Sequence, residues 1–447
     1  MKTFRLGGIH PSENKLSAGS AIQVLPLPQQ AVFPLSQHIG APATPLVKRG
    51  DRVKVGTKIA EAGGFVSAPV HSSVSGTVAR VDTVTDASGY RKPAIYINVE
   101  GDEWEEDIDR TSPLHKDISA LEPQEIVARI KDAGVVGMGG ACFPTHVKLC
   151  PPPGCKAEYL LINGVECEPY LTADHRLMLE KTEEILVGVL LLMKAAGVKK
   201  AYIGIENNKR DAIQRLTEKA RAYAPSIEVV PLKVKYPQGG EKQLIDAVIR
   251  RQVPAPPAIP IHVGAIVQNV GTAFAVYEAV MKHKPLMERV VTVTGKSVKT
   301  PLNLLTRMGT PISQLIEAAG GMPQDTGKVI SGGPMMGKAL VNTEVPVCKG
   351  TSGVLLMNEG EARRHQHQPC IRCAKCVSVC PMGLEPFLLA VLSAHKDWDR
   401  TEHEDVMSCI ECGSCQYTCP ANRPLLDYIR LGKGTVGGII RTRNAKK

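Results

Sequence analysis

Aromatic side chains are scarce in this chain: 6 Phe, 10 Tyr and 2 Trp among 447 residues, 4% in all. Stacking platforms for bases are therefore few, and the basic residues are scattered, which argues against a nucleic-acid partner. Long apolar runs are also missing. The longest, residues 185–193, is closed by Lys194 and falls far short of the roughly 20 residues of a bilayer span; a buried helix is the expectation there. The opening stretch, MKTFRLGGIHPSENKLSAG, lacks the apolar core of a secretory signal. A disulfide framework is absent as well, because five of the 13 cysteines (Cys142, Cys150, Cys155, Cys167 and Cys348) show no such spacing. These gaps exclude a secreted disulfide scaffold and an integral membrane protein, and point to a soluble chain of a reducing compartment.

What is present is concentrated in the other eight cysteines. They fall in CIRCAKCVSVCP, residues 370–381, and CIECGSCQYTCP, residues 409–420. A tight loop with thiolates every third residue can reach three corners of a cubic iron-sulfur cluster, so a fourth ligand must come from elsewhere. Both runs resemble bacterial-type [4Fe-4S] ferredoxins, in which the fourth cysteine of each run serves the other cluster. That resemblance implies one site from Cys370, Cys373, Cys376 and Cys419, and another from Cys409, Cys412, Cys415 and Cys380. The alternative, a pair of zinc knuckles, would ordinarily pair two C-x2-C units across a longer gap. With both clusters in place the formal charge of +10 falls to about +6. This surplus suits an acidic redox partner or an anionic membrane face. Part of it lies in Lys433, Arg441, Arg443, Lys446 and Lys447, which read as a solvated, disordered end.

At this length three or four domains are expected, and the fold class is multidomain α/β. Residues 1–112 read as an N-terminal segment and a β-module of short strands between Gly-Asp and Ser-Gly turns. The stretch PLVKRGDRVKVGTKIAEAGGFVSAPVHSSVSGTVARV resembles a biotinyl or lipoyl domain, with no carrier lysine near residues 63–65. Residues 113–287 alternate amphipathic helices with short apolar strands, the pattern of a mostly parallel, Rossmann-like sheet. Residues 288–358 return to strands and suggest a β-grasp (SLBB-like) unit with a helix over 311–320. Residues 359–432 open on the charged linker EARRHQHQPC, with His365 and His367 solvated, and continue into a mostly helical two-cluster domain. Residues 433–447 form the basic tail.

Glycine clusters carry the remaining chemistry. Gly137, Met138, Gly139 and Gly140 precede Phe143 and Lys148; closely spaced glycines let backbone amides approach a phosphate. The run GMGGACFPTHVKL is similar to GRGGAGFPTGLKW in the flavoprotein subunit of respiratory complex I. NGVECEP (163–169), YPQGGEKQLI (236–245) and VQNVGT (267–272) resemble that family's later motifs in the same order. The resemblance implies that Gly137, Gly139, Gly140 and Lys148 cradle the FMN phosphate and that Asn163 bonds the flavin. By the same likeness Gly239, Gly240 and Glu241 line the flavin and nucleotide cleft, and Asn269 and Thr272 close it. Glu166 and Glu168 would border the nicotinamide pocket as the catalytic carboxylates. Met138, Cys142 and Lys242 depart from the family pattern.

The opening FRLGGIHPSENKLS, the β-module, the flavin motifs, GGPMMG (332–337) and the double cluster run together resemble the RnfC family of the Rnf electron-transport complex, over nearly the whole chain. That likeness implies a peripheral subunit on the cytoplasmic face of the cell membrane. It would bind FMN, NAD(H) and two [4Fe-4S] clusters, and belong to a ferredoxin:NAD oxidoreductase whose other subunits move sodium ions or protons and link it indirectly to ferredoxin. Nicotinamide exchanges two electrons and a cluster one, so a flavin belongs between them. Two other readings share these parts: a cobalamin reductase of microcompartments, and a non-catalytic electron-transfer scaffold.

Overall fold

The computed structural model describes residues 1–445; Lys446 and Lys447 of the expected tail lie outside the described residues. The β-module is two small sheets face to face. Strands Gln30–Pro34, Arg91–Val99, Gly76–Thr85 and Arg52–Val53 form one, and Thr44–Pro45, Lys58–Glu61 and Val70–His71 the other. Phe33, Ile59, Val74, Ile95 and Ile97 fill the space between them with no exposed surface. At the turn where a carrier lysine would stand, the chain presents Gly63, Gly64 and an exposed Phe65.

The α/β domain is built on four parallel strands, in the order Ile227–Leu232, Ala201–Glu206, Tyr159–Asn163, Ala265–Asn269. Sandwiched between helices, these strands bury nearly every Ile, Leu and Val, as parallel strands covered on both faces must. Residues 185–193 lie in helix Thr182–Ala196, which is buried along that stretch as expected. Gly188 is needed there, because a Cβ would stand 1.9 Å from the Ala273 carbonyl of helix Val270–Met281. Numbered along the domain, the strand order is three, two, one, four. The crossover direction thus reverses between Tyr159–Asn163 and Ala265–Asn269, and in such sheets the crevice beyond the carboxyl ends at that point is where ligands bind.

Residues 1–24 pack away from the β-module they precede. Phe4 is buried with Leu232, Leu244 and Ile245 of the α/β domain. Arg5 forks onto Asp246, with Nε 2.8 Å from Oδ1. Ile22–Val24 pairs in parallel with Leu302–Arg307, and so becomes the edge strand of the β-grasp unit. That unit is a six-stranded mixed sheet covered by helix Ile312–Ala318.

The cluster domain is mostly helical, with Pro386–Ala394, Trp398–His403 and Leu425–Ala445 as its main helices. The last of these corrects the expectation of a disordered end. Leu425, Leu426, Ile429, Gly432 and Val436 form one buried stripe at helical spacing. Lys433 donates to the Cys409 carbonyl and to Glu411, and Arg443 forks onto Glu402. His365 and His367 are exposed in the linker. No helix among the described residues is long and apolar enough to cross a membrane.

Candidate functional site

Asn163 and Asn269 end the two strands that flank the reversal, and they are register partners. Asn269 accepts the amides of Gly271 and Thr272 through Oδ1 and so caps helix Val270–Met281. Its Nδ2 bonds Oδ2 of Asp174 at 2.7 Å. Asn163 extends Nδ2 to the Gly239 carbonyl at 2.8 Å, which pins the second glycine run over the same strand end.

The first glycine run arches above Asn269. Gly137 donates to the Phe143 carbonyl at 2.9 Å, and Met138 donates to Oγ1 of Thr272 at 2.9 Å. Gly139 lies so close that a Cβ would stand 2.7 Å from Nδ2 of Asn269, whereas Gly140 faces open space. Cys142 holds φ 54, a left-handed conformation, at a position where the resembled motif has glycine. The expected residues Gly137, Gly139, Gly140, Asn163, Gly239, Gly240, Asn269 and Thr272 are therefore brought around one crevice. Lys148 and Glu241 reach it as an ion pair, 3.1 Å apart, with the Lys148 ammonium also on the Val267 carbonyl. Lys242, a departure from the family pattern, turns to the Pro254 carbonyl.

The two expected catalytic carboxylates have structural partners. Glu166, at φ 45, accepts the Asp174 and His175 amides at 2.8 and 3.1 Å and so caps helix Ala173–Glu180. Glu168 accepts the Met335 and Met336 amides at 3.1 and 2.8 Å, which fastens GGPMMG to the α/β domain. Burial pushes the Glu168 carboxyl up to about 7, against the pull of those amides. Lys15 braces the turn between them by donating to the carbonyls of Glu166, Glu168 and Leu171.

Sequence reasoning missed three residues here. Asp174 stands against Asn269, and burial with the nearby Glu166 raises it to about 7. Buried Arg289 donates to the carbonyls of Met138 and Lys349, behind the glycine loop. Gln268 has both amide atoms buried and, among the described residues, unpartnered. No motif marks these residues, although Gln268 sits inside VQNVGT. An unpartnered amide, a glycine with open space before it and a second glycine that admits no side chain fit a bound group with a polar ring and a phosphate.

The cysteines divide into two unlike sets. Cys380, Cys409, Cys412 and Cys415 line one apolar cavity, the set that the ferredoxin likeness implied. Burial raises the thiols of Cys409, Cys412 and Cys415, so their thiolate forms call for a cationic core to hold. Backbone amides of Glu411 and Leu384 point at Sγ of Cys409 and Cys380, at 3.3 and 3.4 Å. In the other set Cys376 and Cys419 neighbour each other electrostatically, and Cys370 and Cys373 are exposed. The buried set abuts the α/β domain: Tyr236 donates its hydroxyl to the Cys412 carbonyl at 2.8 Å, and Gly8 donates to the Val379 carbonyl at 2.8 Å.

Family models match in the same order as these units. The RnfC barrel sandwich hybrid domain matches residues 2–102, the Nuo51 FMN-binding domain 130–278, the SLBB domain 290–339 and the 4Fe-4S dicluster domain 362–420. The chain is 45% identical over 439 residues to the C-subunit of the Na(+)-translocating ferredoxin:NAD(+) oxidoreductase complex of Acetobacterium woodii, covering 96% of each. It is 43% identical to the C-subunit of the proton-translocating ferredoxin:NAD(+) oxidoreductase complex of Clostridium ljungdahlii, covering 96% of this chain and 93% of that one. With the C-subunit of the ion-translocating oxidoreductase complex of Rhodobacter capsulatus the identity is 42%, over 96% and 82%. A glycine-lined crevice at the sheet reversal, a double cluster domain against it and relatives matching from end to end give one conclusion: this oxidoreductase chain belongs to the RnfC family, the C-subunits of the ion-translocating ferredoxin:NAD oxidoreductase complexes.

Proposed function

We propose that the chain exchanges hydride with NAD(H) at the sheet-reversal crevice and single electrons with partner subunits through its two clusters. FMN, bound there, supplies the change between two-electron and one-electron chemistry. Gly137, Gly139 and Gly140 admit its phosphate against backbone amides, and Asn163, Gln268 and Asn269 offer polar contacts at the strand ends. Glu166 and Glu168 act as positioning residues. The first holds helix Ala173–Glu180 at the crevice, and the second fastens the 332–337 loop beside the cluster domain. The carrying observation is the placement of the buried cysteine set. Its Cys412 is bonded by Tyr236 of the YPQGG run, whose Gly239 is bonded by Asn163. That makes the Cys380, Cys409, Cys412 and Cys415 cluster the one next to the flavin, and the Cys370, Cys373, Cys376 and Cys419 cluster the outlet toward a membrane-bound partner on the cytoplasmic face. Ferredoxin is reached through that partner.

Gly139→Asp tests the crevice, because the new side chain must collide with Asn269. FMN should be lost and NADH-driven cluster reduction abolished, while the iron content stays at two clusters. Full NADH activity in that variant would refute the assignment. Flavin that is bound but never reduced by NADH would favour the scaffold reading, and corrinoid reduction by the purified chain would favour a cobalamin reductase.

A further inference from the structure

Besides the Lys148 and Glu241 ion pair, the crevice holds a titratable group next to the glycine loop. Asp174, near the start of helix Ala173–Glu180, bonds Nδ2 of Asn269 through Oδ2, and that Nδ2 is the atom against which Gly139 presses. Its Oδ1 lies 3.7 Å from where a Gly271 Cβ would stand, and so does the Met138 methyl. Asp174 is thus one side chain away from the glycine loop, and it is partly accessible.

Three charged groups lie near it. The Glu166 carboxylate takes the Asp174 amide, Arg289 approaches from strand Glu288–Thr294, and Lys209 is held nearby by the Val165 carbonyl. Burial comes first and Glu166 second in raising the Asp174 carboxyl to about 7, while Asn269, Arg289 and Lys209 pull it down. A proton can therefore be held or released there near neutral pH.

Reduction of NAD+ to NADH consumes two electrons and one proton. Clusters deliver electrons only, so in the cluster-to-NAD direction the proton enters the crevice by its own route, and in the opposite direction it leaves. We propose that Asp174 is the group that holds and passes this proton. Its Oδ–H bond breaks as the electron pair accumulates in the crevice, the proton leaves with that pair as the hydride to NAD+, and solvent re-protonates the carboxylate. The inference rests on the flavin crevice proposed above.

Asp174→Asn keeps an acceptor for Asn269 and removes the transferable proton. In the full holo-chain under anaerobic conditions, time-resolved infrared difference spectra on reduction through the clusters should show a transient loss of a protonated carboxyl band, recovered as solvent re-protonates the group. That band should be missing in Asp174→Asn and retained in Glu206→Gln, since Glu206 is a buried acid outside the crevice, also raised to about 7. NADH brings its own proton with the hydride. The ratio of cluster-driven to NADH-driven flavin reduction should accordingly fall on the order of 10²-fold in Asp174→Asn. A band that survives in Asp174→Asn, or an unchanged ratio, overturns the proposal. Should Asp174→Asn lose FMN, the wild-type spectrum decides alone, and the absence of any carboxyl band refutes it. FMN content and NADH bleaching of the wild type, recorded in the same samples, tell failure of the crevice reading apart from failure of the proton assignment.

Discussion

The two cysteine runs share one spacing yet occupy opposite environments. Residues 370–374 are an exposed loop, with Cys370 and Cys373 open to solvent, whereas Cys412 and Cys415 are buried and flank an apolar cavity against the α/β domain. Cys380 makes this contrast sharper, because it leaves the exposed run to line the buried cavity; in the proposed assignment Cys419 does the reverse. Equal motifs therefore need not mean equal roles. A cluster in a dry, amide-lined cavity and one at the surface differ in solvent exposure and hydrogen bonding, the levers that set cluster potential.

The largest expected effect comes from breaking the sets one at a time. Cys412→Ala should abolish NADH-driven reduction of the remaining cluster, whereas Cys373→Ala should leave the buried cluster reducible by NADH and stop only transfer onward. Iron content should fall to roughly half in each, so electron paramagnetic resonance of the NADH-reduced samples separates the two. Similar spectra from both variants would break the proximal and distal assignment.

A second effect concerns Glu168, which anchors the loop whose Met335 carbonyl lies beside Gly413 of the buried set. Its carboxyl sits at about 7 when folded, against an ordinary 4.5. The folded state therefore binds the proton more tightly, and the contribution of Glu168 to stability should be fully present below about pH 4.5 and lost as pH rises through 7. Glu168→Gln should flatten that slope, by about 3 kcal/mol at most, in denaturant titrations across this range. A slope unchanged in the variant would remove Glu168 as its source.

Smaller effects probe the helix that backs the cluster domain. Val436 is fully buried, and Val436→Ala should cost about 1–3 kcal/mol in a thermal or chemical melt. The ion pair of Arg443 with Glu402 is half exposed, so Arg443→Ala should cost no more than about 1 kcal/mol. Equal costs for the two would show that residues 433–445 fray in solution instead of packing.

Legibility follows the range of the forces involved. Cysteine spacing, glycine runs and the alternation of helices and strands are local, and each was readable directly. Lys2, Phe4 and Ile22 were not, because their partners lie 230 to 281 residues away, in Leu232, Ile245 and Asn303. The final helix is legible in its first turns, over residues 423–431, but its continuation to Ala445 was hidden by four glycines and by its basic residues, although Leu425, Ile429, Gly432 and Val436 keep helical spacing. Motif likeness located the Glu166 and Glu168 turn, but only geometry shows those carboxylates occupied by backbone amides. Asp174 sits beside the motifs without being marked by them, because its meaning lies in its contact with Asn269; Gln268 lies within a motif, and only the structure shows its amide buried without a partner among the described residues.

Anaerobic NADH titration of the purified chain with both clusters and FMN in place, followed by visible absorption and electron paramagnetic resonance, tests the central claim most directly. The account predicts that the flavin bleaches and that the signal of the buried cluster, the one abolished by Cys412→Ala and kept by Cys373→Ala, appears with it. Flavin that stays oxidised, or electrons that reach only the exposed cluster, would contradict it.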